Sequence, residues 1–193
     1  MPREKNFDVD DALAEAGETF WSQGYKATSM TDLLEAMGIR KASFYDTYGS
    51  KREAYLRSLQ QYSDERFSYF ASLVDGVSPK ASLRILINKI YKECTGPEGH
   101  KGCMLINCAL ELAHSDTDAQ RLVQQSFKIH ERSFADLIKA GQATGEISLD
   151  LDAKATAQSM LAMVMGMRVF ARAGSSRKTL RTLADQILEL IED

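Results

Sequence analysis

Thr28–Lys51 reads TSMTDLLEAMGIRKASFYDTYGSK, and its reading decides the fold. Ser29 followed by Asp32 is a capping pair: the hydroxyl can accept from an orphan backbone N–H, and the carboxylate sits in the positive first turn of a helix. Met30, Leu33, Leu34 and Met37 then recur at helical spacing on one apolar face. Gly38 supplies the left-handed stop, and Ile39 is the single apolar plug of the turn. Arg40 to Tyr48 is a second short helix whose open side carries Arg40, Lys41, Ser43 and Tyr45. Ser50-Lys51-Arg52-Glu53 then fits the S-x-x-E start of a third. Helix, glycine turn, and a helix with basic and hydroxyl groups on its open face is the layout of a helix-turn-helix, over about residues 29–48.

Working outward, Val9, Ala12, Leu13, Ala16, Phe20 and Trp21 form the apolar stripe of a helix over 8–23, ended by Gly24. Asp8, Asp10 and Asp11 favour its start. Its task is to close a three-helix core over Leu33, Leu34, Ile39 and Phe44. A long helix runs from Ser50 toward Leu73, with Tyr55, Leu59, Tyr62, Phe67 and Phe70 inward, to a break at Asp75–Pro79. Residues 80–94 are helical, with Leu83, Leu86, Ile87, Ile90 and Tyr91 inward, and Thr95–Gly99 is a loop. Residues 103–113, CMLINCALELA, are almost all apolar and predict a short helix buried on most sides. Helices follow at about 117–143, 152–172 and 175–191. No strand pattern and no repeat occurs, so the chain is all-α.

The stretch of matching residues resembles the DNA-binding domain of the TetR/AcrR family of bacterial repressors. It comprises Gly24-Tyr25, Ala27-Thr28-Ser29, Ala36-x-Gly38-Ile39, Lys41-x-Ser43-Phe44-Tyr45 and Tyr48-x-Ser50-Lys51. The resemblance is close over roughly residues 8–60 and extends over the rest in outline. It implies a three-helix reading head at 1–50, then a larger helical domain at 51–193 for effector binding and dimerisation. One departure is Arg40, where the family often has a capping Ser; either the cap is lost or Ser43 and the turn compensate.

Composition sets bounds on this reading. With 193 residues, 44% of them hydrophobic, the chain can bury a proper core. Its net charge of −3 argues, taken alone, against a nucleic-acid partner. The distribution reverses that. Residues 36–60 hold Arg40, Lys41, Lys51, Arg52 and Arg57 against only Asp46 and Glu53, whereas residues 1–35 are strongly acidic. The start, MPREKNFDVDD, lacks an apolar leader core, and the longest apolar run, Met160–Met167, is far below the roughly 20 residues that cross a bilayer. Three irregularly spaced cysteines make no disulfide framework. The expectation is a cytoplasmic protein with reduced thiols and no membrane partner.

The expected DNA contacts divide by role, since phosphate contacts fix register and base-edge contacts read sequence. Thr28, Ser29 and Thr31 are expected on phosphates, as are Tyr45, Tyr48 and Lys51. Arg40, Lys41, Ala42 and Ser43 are expected to face base edges, with the Arg40 guanidinium able to bridge guanine O6 and N7. Small residues (Ala153, Ala155, Ala157, Ala162, Gly166, Ala171) and an apolar surface nearly all round (Met160 to Val169) predict that the last two helices pair with those of a second copy. Two heads then read a palindromic double-stranded operator. Eight ion contacts, with Arg40, Lys41, Lys51 and Arg52 of both subunits all on phosphate, would give a log–log salt slope of about −7 as an upper bound.

Tyr91, Met104, Phe127, His130, Glu131, Phe134, Met163 and Met167 are candidates to line an effector pocket, because small-ligand sites are apolar with a few polar groups. Cys103 and Cys108 join them. Cys103 follows His100-Lys101-Gly102 at a helix start, where positive neighbours favour thiolate, while a small buried hydrophobe is the plainer reading. Helix geometry disfavours a Cys103–Cys108 disulfide within one helix, since their Cα atoms would lie roughly 8.6 Å apart. The spacing of Cys94, His100, Cys103, Cys108, His114 and His130 matches no metal motif, and no metal or cofactor is expected. The function expected is a ligand-responsive repressor released by a small molecule or thiol modification, not an enzyme. The alternatives are an all-α thiol enzyme using Cys103, with His100 or His130 as base, and a helical protein-interaction module.

Overall fold

A computed structural model describes residues 7–192, so the stretch of the start that was read for a leader lies largely outside the described residues. Among the described residues there are nine α-helices and no strand: α1 (Val9–Gln23), α2 (Met30–Met37), α3 (Lys41–Tyr48), α4 (Lys51–Leu73), α5 (Pro79–Cys94), α6 (Met104–Glu111), α7 (Thr117–Ala143), α8 (Ala153–Arg172) and α9 (Arg177–Glu189). A short 3-10 helix, Pro97–Lys101, precedes α6. The all-α expectation holds, and most helix limits fall within a residue or two of those read from the pattern.

The chain divides into two compact units, Met1–Glu65 with Met104–Val123, and Arg66–Cys103 with Gln124–Asp193. The first holds α1 to α3, α6 and the opening parts of α4 and α7. Its centre is aromatic: Phe20 meets Tyr55 edge-on with centroids 5.0 Å apart, and Phe44 packs on Tyr48 at 5.3 Å. Leu33, Phe44 and Leu59 are fully buried around them. Asp8 caps α1 by accepting from the N–H groups of Asp10 and Asp11. Ser29 and Asp32 form the reciprocal capping box of α2, the Ser29 N–H donating to the Asp32 carboxylate at 2.7 Å and the Ser29 hydroxyl accepting from the Asp32 N–H at 3.1 Å. Gly38 closes α2 at φ 63°, a left-handed conformation that a side chain would strain.

The second unit is built on α5, α8 and α9 with the later parts of α4 and α7. Leu83, Ile87, Ile138, Ala157, Met160, Met167, Ala184 and Ile187 form its dry interior. Two expected burials differ. Phe67 is 40% exposed, and Leu110 of the apolar α6 is 73% exposed. The cause at α6 is that Met104, Leu105, Asn107 and Cys108 alone supply its buried side, and eight residues cannot turn every apolar position inward.

Candidate nucleic-acid interface

The local order of the first unit decides which side chains reach solvent. In α3 the apolar positions Phe44 and Tyr48 point inward, and the Tyr48 hydroxyl donates to the Val9 carbonyl at 2.8 Å, tying α3 to the start of α1. With that side fixed, Arg40, Lys41, Ala42 and Tyr45 are exposed and Ser43 is half-buried. They form one open surface on the second helix of the helix-turn-helix. Arg40 occupies the cap position of α3, and its side chain makes no capping bond. A guanidinium carries donors only, so it cannot serve the helix's first N–H groups. The departure from a capping Ser therefore costs α3 its cap, and Ser43 does not replace it.

Ser29 and Thr31 are exposed at the head of α2. Ser29 uses an oxygen lone pair in the capping box by accepting from the Asp32 N–H. Asp32 in the same box is held below the usual carboxylate range, first by the Ser29 backbone N–H and then by its hydroxyl.

Three of the residues expected on phosphates make contacts inside the unit. Thr28 is buried, its hydroxyl donating to the Gly24 carbonyl at 2.7 Å. Tyr48 is buried with its hydroxyl on Val9. Lys51 donates to the Thr28 carbonyl and lies 4.5 Å from the centre of the Tyr25 ring; burial lowers its pKa. Thr28 and Tyr48 are buried polar groups and must be satisfied internally, while half-buried Lys51 meets the loop after α1 at the start of α4.

Arg52, counted among the phosphate cations, is likewise engaged. It donates to both oxygens of Asp116 at 2.6 and 2.7 Å and to Asp118 at 2.7 Å. That fork holds the Asp116 carboxyl down to about 2. Glu111, at the end of α6, accepts from the Lys26 backbone N–H at 3.2 Å. These contacts pin the loop before α7 and the end of α6 to the reading head. Nothing in the local spacing of Arg52 and Asp116, 64 residues apart, announces them.

The effector candidates divide between the two units. Met104 and Cys108 lie in the first unit, where Cys108 is fully buried and hydrogen-bonded to Tyr55. The other candidates belong to the second unit. Of these, Phe134 and Met167 are part of its dry core, with Tyr91 and Met163 packed against it. Phe127 and Cys103 are half-buried, and Glu131 accepts from Gln158 at 3.0 Å. His130 lies near Phe67 with ring centres 6.4 Å apart; its pKa is lowered by burial, then by the Arg168 and Arg66 charges. Burial pushes the Cys94 thiol up, with Cys103 close enough to push it further. No group of three metal-ligating side chains occurs among the described residues.

Sequence reasoning missed a cluster in this unit: Arg66, Glu93 and Arg168. The one available signal was Arg168 itself, a lone cation in the apolar run MLAMVMGMRVF.

Residues 12–56 match the family described as bacterial regulatory proteins, tetR family, and residues 79–187 match the tetracyclin repressor-like C-terminal domain. The HTH-type transcriptional repressor ComR of Escherichia coli is 30% identical, over 97% of this chain and 90% of its own length. The uncharacterized HTH-type transcriptional regulator YezE of Bacillus subtilis is 29% identical over the whole of both chains. A solved structure of the TetR family transcriptional regulator CifR, a cysteine mutant complexed with 26 bp double-strand operator DNA, superposes with a TM-score of 0.86. It is 26% identical, covering 97% of this chain and 98% of that chain.

Proposed function

The chain belongs to the TetR family of bacterial regulatory proteins, and from that premise we propose that it is a dimeric repressor whose α3 reads a palindromic operator. One observation carries the assignment: with Phe44 and Tyr48 locked inward, Arg40, Lys41, Ala42 and Tyr45 share the open side of α3. In this reading Arg40 and Lys41 face base edges with Ala42 and Ser43 beside them. Ser29, Thr31 and Tyr45 hold phosphates, and the uncapped first turn of α3 offers its N–H groups to a further one. Thr28, Tyr48, Lys51 and Arg52 have structural roles.

The functional division falls at about residue 50, with residues 51–193 binding effector and pairing two copies through α8 and α9. Val169 and Phe170 on α8 are exposed large apolar side chains that such pairing would cover. The effector favours a conformation in which the two copies of α3 are misplaced for the operator. Moving a two-state balance from 1:99 to 99:1 takes about 5.5 kcal/mol of preference for that state. Cys103 is the thiol open to modification, being half-buried where Cys94 and Cys108 are buried. No catalytic part is assigned to it. No described helix is long and apolar enough to cross a membrane, and we assign the protein to the cytoplasm.

Selection of bound duplexes from a random pool, by the wild type and by Arg40→Ala, tests the reading. The expected result is a palindromic consensus whose preference relaxes at one base pair per half-site in the variant. An unchanged consensus would remove Arg40 from the readers, and absence of any selected duplex would remove the repressor reading.

A further inference from the structure

Of the five cations in residues 36–60, Arg40 and Lys41 stand on the open side of α3, and Lys51 and Arg52 are engaged within the first unit. Arg57 is the fifth. It is exposed on α4, and its Nη1 donates to the Thr47 carbonyl at 3.3 Å. That carbonyl is one of the last four of α3, which have no N–H partner within their own helix. A guanidinium, all donors and positive, suits this end of a helix, where free carbonyls and the negative end of the dipole coincide. The two arginines are thus placed in opposite senses. Arg40 brings donors to the end of α3 that needs acceptors and is left exposed, while Arg57 brings donors to the end that can use them.

The need for such a tie follows from the length of α3. A helix of eight residues with no side-chain cap at its start is marginal on its own. The inward pair Phe44 and Tyr48 supplies packing, and the Tyr48 hydroxyl ties the last turn to the Val9 carbonyl at the start of α1. Arg57 ties that same turn to a second helix, α4. Its charge is near enough to Tyr48 to act against the upward push that burial gives the phenol. One fastening leaves a pivot, whereas two on different helices fix the direction of the axis. Arg40 lies about 10 Å along α3 from Thr47, at about 1.5 Å per residue. A tilt of about 10° at the fastened end therefore carries the reading end by about 2 Å, against the ~0.5 Å within which a polar contact must be placed.

We propose that Arg57 is a positioning residue for operator reading: by clamping the last turn of α3 to α4 it fixes how Arg40 and Lys41 meet base edges, without itself touching DNA. The inference deepens the repressor reading and rests on it.

The test uses the full chain and two duplexes of equal length, the operator selected by the wild type and a scrambled version of it. The quantity read is the ratio of affinities for the two, from anisotropy titrations, with urea unfolding measured alongside. Arg57→Met keeps the apolar stem and removes every donor. Its ratio should fall by about tenfold, while affinity for the scrambled duplex and the salt slope on the operator stay as in the wild type. Arg57→Gln, too short to reach the carbonyl, is a second variant and should behave in the same way. Arg57→Lys keeps a cationic donor for the carbonyl and should hold the ratio within about twofold of wild type. Arg57→Met combined with Arg40→Ala should lose less than the two separate losses multiplied together, because both act on one contact.

A ratio unchanged in Arg57→Met and Arg57→Gln, whether or not stability falls, would make the tie structural only and overturn the proposal. So would an equal loss on both duplexes with the slope flattened by about two, the mark of a phosphate contact from each subunit. A loss in Arg57→Lys as large as in Arg57→Met, or full independence from Arg40→Ala, would overturn it as well. If the wild type selects no duplex, the repressor reading falls; if it selects one and any of these outcomes follows, only the part given to Arg57 falls.

Discussion

Arg40 stands where a hydroxyl or carboxylate ordinarily closes the start of a helix, and α3 goes uncapped as a result. An exposed donor has displaced an acceptor at a position that costs stability, which is the pattern expected where a side chain serves recognition. Arg40→Ser should therefore move two quantities in opposite directions. The new cap should raise stability by about 1 kcal/mol in urea unfolding, while loss of a bidentate base contact should cost about 1–3 kcal/mol of operator discrimination. A variant that gains stability and keeps full discrimination would show Arg40 to be plain surface. Ser29 carries the reverse lesson, since its cap is complete; Ser29→Ala should lose about 1 kcal/mol. Asp116 supplies a pH signature. Its folded pKa lies near 2, below the ordinary carboxylate value, so the unfolded chain binds the proton more readily between the two. The stabilisation it contributes is thus present above about pH 4 and lost as pH falls toward 2. Comparing wild type with Asp116→Asn over that range isolates it: the gap between their unfolding midpoints should narrow as the solution is acidified.

At the level of elements, the helix-turn-helix was legible because its signals are local. The Ser29–Asp32 box, Gly38 at φ 63° and the Met30–Met37 stripe each act within a turn or two of themselves. What spacing could not supply was the partner of a side chain far away in sequence. Lys51 and Arg52 look like surface cations at the head of α4, yet Arg52 finds Asp116 and Lys51 finds Thr28 and Tyr25. Composition likewise marked α6 as apolar without saying which side a neighbour would cover, and Leu110 is left 73% exposed. In the second unit the charges that matter come from three helices, Arg66, Glu93 and Arg168, whose meeting has no signature in any one stretch. Arg52→Met tests this account of the head. It should lower stability measurably, since it leaves the Asp116 carboxylate without its fork, and leave sequence preference in duplex selection unchanged.

For the whole molecule acting as a dimer on a duplex, the salt dependence of binding counts the cations that truly meet phosphate or displace counterions. Four cations from each subunit would give a slope near −7, whereas the structure commits Arg52 to two aspartates and Lys51 to a carbonyl and a ring. Arg40 and Lys41 remain exposed on each copy. At about 0.9 counterions released per contact, four contacts give a log–log slope of about −3.6. Anisotropy titrations of the selected operator across a salt series measure it directly. Lys41→Ala should flatten the slope by about two, one contact from each subunit. Arg52→Met should leave it where it was, because a residue already paired within the protein releases no ion when DNA arrives. A wild-type slope near −7 would return Lys51 and Arg52 to the phosphates, and would mean that the Asp116 fork opens on binding.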